Sequence, residues 1–239
     1  METINYLLGY ENLHIYQNTK MFNFSLDSVL LPNFVTINKK TKRILDIGCG
    51  NAVIPMILTT KTDALIDGVE IQKEAYELGV KSVKLNKLDK QINLYNQDIK
   101  EFYKSKETDI YDTITCNPPF FKISEKTRFN DTKYKSIARH ELSLNLEDIM
   151  VIAKKLLKNN GNIAIVHRTD RLIDIIEVMR KHNIEPKKIR FIYPKVNTES
   201  NIVLVEGTKN GKPGLKILNP LISHNENDEY TDELKKYFT

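Results

Sequence analysis

Two short turns contain the residues of this sequence that are best suited to chemistry. The first, Gly48-Cys49-Gly50, follows the apolar run 43–47 and leads into a helical pattern. Glycines let the backbone pass close to a ligand, and a helix N-terminus offers unpaired N–H groups. Val53 stands where the dinucleotide fingerprint Gly-x-Gly-x-x-Gly has its last glycine, so the pattern disfavours an NAD- or FAD-dependent enzyme.

Acidic residues stand at the ends of three successive apolar runs. Asp46 precedes the glycine turn, Glu70 ends the second run, and Asp98 follows the third. Asp46 and Asn51 suit a ligand with a cationic amine. Glu70 can accept hydrogen bonds from both hydroxyls of a ribose, and Asp98 can accept one from an adenine amino group. Taken one at a time, these three acids could equally cap a turn, begin a helix or face solvent. Together, on consecutive strand ends, they describe a site for S-adenosylmethionine.

The second turn, Asn117-Pro118-Pro119-Phe120, follows the fourth apolar run. As turn residues alone, these four predict a stiff loop. The Asn117 side-chain oxygen and the Pro118 carbonyl could also accept the two N–H bonds of a ring-conjugated amine and favour a pyramidal nitrogen. Phe120 offers a face on which the base can stack. Methyl transfer from a sulfonium to that nitrogen needs mainly orientation and electrostatics. We therefore take these four residues as the candidate catalytic turn.

Short apolar runs alternate with helical patterns, which predicts βαβ units, a mainly parallel sheet and helices on both faces. The predicted strands are Arg43–Ile47, Leu65–Val69, Ile92–Tyr95, Tyr111–Cys116, Asn162–Val166, Lys188–Tyr193 and Ile202–Glu206. The predicted helices are Ala52–Thr60, Gln72–Asn86, Leu146–Leu157 and Arg171–His182, with Asn160-Gly161 closing the third helix. The last two strands should form a C-terminal antiparallel hairpin, because residues 194–201 are too few for a crossover helix. This α/β pattern, a Rossmann-like sheet of seven strands, is typical of class I methyltransferases.

The composition suits one large domain. The chain has 239 residues, 41% of them hydrophobic, and this size supports a core without disulfides. We expect a single methyltransferase domain, residues 1–239, with an N-terminal cap element at 1–40 and a catalytic α/β core at 41–239. The sequence shows neither an apolar run of about 18 residues nor a signal peptide, and its two cysteines cannot form a secreted framework. These features predict a soluble, cytoplasmic protein.

The motifs at 45–51, Glu70, Asp98 and 117–120 resemble those of the class I amino-methyltransferases. Four flanking segments look like those of the tRNA1(Val) N6-adenine methyltransferases: 22–31, 139–141, 203–207 and 220–222. The resemblance covers nearly the whole chain. Members of that family use S-adenosylmethionine to methylate N6 of the adenosine just 3′ of the anticodon, position 37, in a valine tRNA. The resemblance implies the same cofactor and a tRNA partner here, with no obligate protein partner visible.

The resemblance also implies roles for individual residues. Ser25 and Asp27 would lie near the methionine end of the cofactor, Glu70 would hold its ribose, and Asp98 its adenine. The other cofactor residues would be Asp46, Gly48, Gly50, Asn51 and Asn117. Cys49 and Cys116 stand where relatives vary, and we interpret both as packing residues because the mechanism needs no covalent enzyme intermediate.

The turn at 117–120 does not choose the substrate by itself. It also resembles the corresponding turns of guanine-N2 rRNA methyltransferases, DNA adenine methyltransferases and release-factor glutamine methyltransferases. The last group usually carries a separate helical N-terminal domain, whereas only about 40 residues precede the first core strand here. A guanine-N2 rRNA methyltransferase is the main alternative, and a catalytically silent RNA-binding protein of the same fold is another.

The chain has a net charge of +5, and its excess of basic residues lies in two segments. Residues 122–139 and 180–195 each hold six basic residues, against two acidic residues in the first and one in the second. Aromatic residues alternate with the cations of the first segment, which suits RNA contacts, although a solvated loop is the plain alternative. The predicted RNA contacts are Lys122, Lys126, Arg128, Lys133, Lys135, Arg139, Lys188 and Arg190. We predict no metal site, because neither His140 nor His167 has suitable cysteine or carboxylate spacing around it.

Overall fold

The structure is a computed structural model that describes residues 2–18, 26–118 and 144–238. Within these ranges, nine strands form one sheet: β3 Arg43–Ile47, β4 Leu65–Glu70, β5 Ile92–Asn96, β6 Tyr111–Cys116, β7 Leu157–Arg168, β8 Ile184–Tyr193, β9 Ile202–Lys209, β10 Lys216–Ile217 and β11 Leu221–Ile222. Their order is β10-β8-β9-β7-β6-β3-β4-β5, and β11 also pairs with β8. A separate two-stranded sheet consists of β1 Glu2–Leu7 and β2 Tyr10–Asn18.

The sheet is mainly parallel, as the α/β pattern predicts. Strands β3 to β7 pair in parallel with their neighbours, and β9 lies antiparallel between β7 and β8. Residues 194–201 connect β8 to β9 directly. The count of seven strands was too low, because the two-residue strands β10 and β11 also pair with β8. Strands this short carry no sequence periodicity, so the pattern could not reveal them.

Helices cover both faces of the sheet. They are α1 Leu26–Phe34, α2 Val53–Thr59, α3 Lys73–Leu85, α4 Ile99–Ser105, α5 Leu146–Leu156, α6 Leu172–Lys181 and α7 Asp232–Lys235. Successive residues of the central strands enter two hydrophobic clusters: Ile44 packs with α1 and α2, whereas Leu45 packs with α4 and α5. This two-sided burial explains why these strands are continuous apolar runs. No helix in the described ranges is both long and apolar enough to cross a membrane.

The predicted end of α5 at Asn160-Gly161 was wrong. The helix ends at Leu156, because Leu157 already has an extended backbone and begins β7. The left-handed residue is Asn160, with φ +63°. A Cβ atom on Gly161 would lie 2.9 Å from the Lys158 carbonyl oxygen. Glycine at this position therefore allows the backbone of Lys158 to come close, and it does not cap the helix.

The hairpin β1–β2 lies against α3 through side chains that pair with its backbone. The Asn86 side chain accepts from the His14 N–H at 2.8 Å and donates to the His14 carbonyl at 2.6 Å. The Ser82 hydroxyl accepts from the Tyr16 N–H at 3.0 Å. These bonds satisfy backbone groups that an unpaired strand edge would leave open. The sequence patterns missed the hairpin, and the interpretation of 1–40 as a cap element stays a prediction.

Two predicted RNA contacts, Lys188 and Arg190, are engaged within the fold. Lys188 Nζ donates to the Phe34 carbonyl and to the Thr36 hydroxyl, both at 2.7 Å, and lies 3.2 Å from the buried Glu206 carboxylate. Arg190 pairs with Glu233 and with the Tyr237 hydroxyl. Strand β8 lies inside the sheet, so its cations meet partners from α1 and α7. We therefore leave both residues out of the RNA surface.

Replacing Lys188 by alanine is expected to lower the free energy of unfolding by about 3 kcal/mol, because Glu206 would keep a buried charge without its cation. Affinity for tRNA should not change. Urea denaturation and tRNA titration measure the two quantities, with the exposed Lys90→Ala as the control. A loss of tRNA affinity at unchanged stability would return Lys188 to the RNA surface.

Candidate functional site

Several loops meet at the carboxyl edge of the sheet. Because β3 pairs in parallel with β4 and β6, Ile47 lies level with Val69 and Cys116. Glu70 in turn lies level with Asn96 of β5. The segments after these four strands therefore begin side by side. They bring together the glycine turn, Glu70, residues 97–98 and Asn117.

The glycine turn after β3 has the backbone that its sequence requires. Gly48 and Gly50 have φ values of +70° and +53°, a region that other residues rarely adopt. Nothing lies within 4 Å of a Cβ atom built on either glycine. The N–H groups of Gly48 and Cys49 donate to the Val69 carbonyl at 2.9 and 3.1 Å. The turn is thus fastened to β4 and open on its other side.

Glu70 links two loops through its carboxylate. Its oxygens accept from the Gly50 N–H at 2.9 Å and from the Gln72 N–H at 2.7 Å. The residue is only 5% exposed. A carboxylate has about four acceptor positions, which suits the hydroxyl groups of a ligand such as a ribose.

A small cleft opens beside this carboxylate. Three of the predicted cofactor residues, Gly48, Glu70 and Asp98, contribute to its lining. The lining also includes residues that the sequence patterns missed: Val69, Ile71, Gln97, Ile99 and Leu144. The sequence held one signal for this lining, because the apolar Ile71 directly follows the acid at the end of β4. In the structure, Ile71 is 44% exposed. The cleft combines apolar side chains, which can contact an aromatic ring, with a carboxylate, which can accept from hydroxyl groups.

Two predicted cofactor residues also have structural partners. Asp98 is the N-cap of α4, and its Oδ1 accepts from the Lys100 N–H at 2.8 Å. Asn51 donates from Nδ2 to the Tyr16 carbonyl at 3.2 Å and so holds the hairpin β1–β2 beside the glycine turn. Asp98 still lines the cleft, whereas the Asn51 amide bonds to the protein itself.

Asp46 is fully buried next to the turn. Its Oδ1 accepts from the Thr115 hydroxyl at 2.6 Å. Its Oδ2 is also buried and has no hydrogen-bond partner in the described part of the chain. Burial raises the pKa of this carboxyl to about 8; the Thr115 hydrogen bond opposes the rise and the nearby Glu70 adds to it. A buried carboxyl oxygen without a donor favours a cationic or hydrogen-bond-donating ligand group.

Asn117 follows β6 at the same edge. Its side chain is half-buried, and Nδ2 donates to the Ser28 hydroxyl of α1 at 3.2 Å. Asp27, the neighbour of Ser28, is 8% exposed. Pro118 is the last residue described before the gap. The predicted site residues that lie outside the described ranges are Ser25, Pro119, Phe120, Lys122, Lys126, Arg128, Lys133, Lys135 and Arg139.

The methyltransferase small domain family matches residues 25–185, which include the glycine turn, the cleft and Asn117. The chain belongs to this family. A predicted O-methyltransferase from Agrobacterium tumefaciens has a similar fold, with a TM-score of 0.69 at 18% identity, over 89% of this chain and 97% of that one. A geranyl diphosphate C-methyltransferase from Streptomyces coelicolor, solved with S-adenosyl-L-homocysteine, aligns with a TM-score of 0.57 at 9% identity, over 76% of each chain.

Two curated relatives of this methyltransferase cover most of its length. The tRNA1(Val) (adenine(37)-N6)-methyltransferase of Parabacteroides distasonis is 29% identical over 215 residues, 89% of each chain. That of Christiangramia forsetii is 27% identical over 229 residues, 95% of this chain and 93% of its own. The similarity to these enzymes extends beyond residues 25–185 into both flanks.

The cysteines and His167 of this methyltransferase are buried. Burial raises the pKa of the Cys49 and Cys116 thiols, which disfavours a thiolate nucleophile. Burial also lowers the pKa of His167 to about 4, and its Nδ1 accepts from the Arg168 N–H at 2.8 Å. His140 lies outside the described residues. No cluster of His, Cys, Asp or Glu within those ranges could hold a metal ion.

The buried Asp46 carboxyl predicts a pH-dependent stability for the ligand-free protein. The folded protein keeps this proton up to about pH 8, whereas an unfolded aspartic acid loses it near pH 4. The folded state therefore binds the extra proton in between, and the free energy of unfolding falls as pH rises through this range. Asp46→Asn removes this dependence.

The stability of Asp46→Asn relative to the wild type should therefore increase by at least about 1 kcal/mol between pH 5 and pH 8. Urea denaturation at several pH values measures it, with Asp89→Asn, at an exposed position, as the control. Equal pH profiles for Asp46→Asn and the wild type would contradict an Asp46 carboxyl that is protonated in the folded protein.

Proposed function

We propose that this enzyme methylates the N6 amino group of an adenosine in tRNA and uses S-adenosylmethionine as the methyl donor. The target would be adenosine 37, just 3′ of the anticodon of a valine tRNA, as in the named relatives. The observation that carries the proposal is the position of Asn117 at the sheet edge that also holds the glycine turn and the cleft. A tRNA substrate would place the enzyme in the cytoplasm, and we expect one domain to perform the reaction.

The cleft residues fit S-adenosylmethionine, which supplies a methyl group activated on a sulfonium. Val69, Ile71 and Ile99 provide apolar surface for the adenine ring. Glu70 lines the cleft, and its carboxylate would accept the ribose hydroxyls. The unpartnered Oδ2 of Asp46 provides the acceptor that a cationic amine requires. Such a cation would favour the charged form of Asp46 and so offset the effect of its burial.

Asn117 and Pro118 would hold the target amine. The Asn117 Oδ1 and the Pro118 carbonyl each accept one N–H bond of the adenine amine, which leaves the nitrogen lone pair directed at the methyl donor. Phe120 would stack on the flipped base, which must leave its neighbours to enter the site. The chain's contribution is orientation and electrostatics, so no side chain needs to remove a proton before transfer.

Nucleoside mass spectrometry after incubation with total RNA tests this function. We expect new N6-methyladenosine in the tRNA fraction, and none when adenosine 37 of a valine tRNA transcript is replaced by guanosine. N2-methylguanosine in rRNA would instead establish the guanine-N2 alternative. Methylated glutamine, found by peptide mass spectrometry after incubation with a release factor, would establish the protein substrate. Failure to bind S-adenosylmethionine in calorimetry would support a silent RNA-binding protein.

The cation-rich segment 122–139 is the proposed RNA contact. Replacing Lys133 and Lys135 together by glutamate should weaken tRNA binding and flatten its dependence on salt, because each lost phosphate contact removes about 0.7 to 0.9 from the logarithmic slope. Filter binding at several salt concentrations measures the slope. The control is the double variant Lys39→Glu with Lys40→Glu, which changes two exposed lysines before β3, at the other edge of the sheet. An unchanged slope in the first variant would remove these lysines from the interface.

A further inference from the structure

The side-chain amide of Asn117 contacts a residue for which the sequence patterns predicted no role. Its Nδ2 lies 3.2 Å from the Ser28 hydroxyl oxygen, across 89 positions of the chain. The two side chains are half-buried at the edge that carries the cleft. In this arrangement the amide nitrogen points to α1, and no donor among the described residues bonds to the amide oxygen.

Both partners belong to well-fixed elements. The neighbours of Ser28 in α1 are buried, with Val29, Leu30 and Leu31 at 0% exposure. Cys116, immediately before Asn117, is held in β6 by pairing with Ile47 of β3. Pro118 restricts the backbone of Asn117 from the other side. The hydroxyl and the amide are therefore brought together by the fold rather than by local flexibility.

An asparagine amide has an accepting end and a donating end of nearly equal shape. The proposed reaction uses the accepting end, and a rotation of the amide by half a turn would set its NH₂ group against the NH₂ group of the target base. A hydroxyl that accepts from Nδ2 stabilises the productive orientation. We propose that Ser28 is a positioning residue that keeps the Asn117 oxygen directed at the acceptor amine. This inference rests on the proposed function.

Kinetics of three variants test the proposal. Ser28→Ala should lower kcat about ten-fold, the effect of one orienting hydrogen bond. KM for tRNA and affinity for S-adenosylmethionine should change by less than about two-fold. Ser28→Thr keeps the hydroxyl and should recover most of the wild-type kcat. Ser105→Ala is the matched control, since it removes a serine hydroxyl that bonds to the Phe102 carbonyl of its own helix.

An unchanged kcat in Ser28→Ala would overturn the proposal. So would a loss of kcat that is accompanied by an equal loss of S-adenosylmethionine affinity and is not recovered in Ser28→Thr, because that pattern indicates a merely structural residue.

Side-chain NMR separates this proposal from the proposed function. In protein labelled with ¹⁵N-asparagine, Asn117→Asp identifies the Asn117 NH₂ signals by their disappearance. These signals should shift in Ser28→Ala and stay in place in Ser105→Ala. If the wild type methylates no RNA, the proposed function fails while the contact is still measured. If the signals do not move in Ser28→Ala, the positioning role fails, whatever the enzyme methylates.

Discussion

Replacing Asn117 by alanine is expected to lower kcat about 100- to 1,000-fold, the usual effect of losing one preorganised polar group at a reacting centre. The variant loses the acceptor that holds one N–H bond of the target amine, so the nitrogen lone pair stays delocalised into the ring. The cleft is lined by other residues, so S-adenosylmethionine should bind with nearly unchanged affinity. Turnover on tRNA and calorimetry with the cofactor measure the two effects separately.

Asn159→Ala is the matched control for this variant. Asn159 lies at the start of β7, at the opposite edge of the sheet, where it accepts from Asn210 at 3.1 Å. Its replacement should leave turnover unchanged. Near-normal turnover in Asn117→Ala would remove Asn117 from the reaction. A parallel collapse of cofactor affinity would show that Asn117 supports the cleft instead of the amine.

Replacing Glu70 by alanine should raise the Kd for S-adenosylmethionine about 100-fold. The carboxylate accepts from the Gly50 and Gln72 N–H groups, which fixes the loops on both sides of the cleft. It would also accept hydrogen bonds from the ribose hydroxyls. Hydrogen bonds to a charged group contribute about 1.5 to 3 kcal/mol each, so the loss of the ribose contacts alone accounts for much of this change. Calorimetric titration measures the Kd.

Two further variants make this expectation specific. Glu77→Ala removes an exposed acid of α3 that lies 3.8 Å from Lys73, and it should leave the Kd unchanged. Glu70→Gln keeps one accepting oxygen but presents an NH₂ group to a backbone N–H, so its affinity should lie between those of the wild type and Glu70→Ala. Equal affinities in the wild type and Glu70→Ala would show that the ribose is held elsewhere.

Much of the site could be anticipated because its residues stand at strand ends. A buried parallel strand is a continuous apolar run, and the polar residue that follows it lies at the carboxyl edge. By this reasoning Gly48, Glu70 and Asp98 are expected to lie close together, and the three line one cleft. Their roles toward a cofactor stay predictions that the variants above test.

The surface cations show the limit of the same reasoning. A run of lysines and arginines in sequence carries no information about the acids that face it across the fold. Lys188 meets Glu206, and Arg190 meets Glu233, from distant parts of the chain. The sequence pattern therefore predicted both as RNA contacts, although each pairs with an acid that joins neighbouring elements.

Periodicity and strand-end residues by themselves determined the α/β class, the order of the main elements and the edge at which the chemistry must lie, since these follow from local patterns and the parallel arrangement. Only the tertiary structure decided which groups meet: Ser28 with Asn117, Asn51 with the hairpin β1–β2, and Lys188 with Glu206. These pairs join segments far apart in sequence. Their contact depends on how α1 and the hairpin pack on the sheet, and no local pattern encodes that packing.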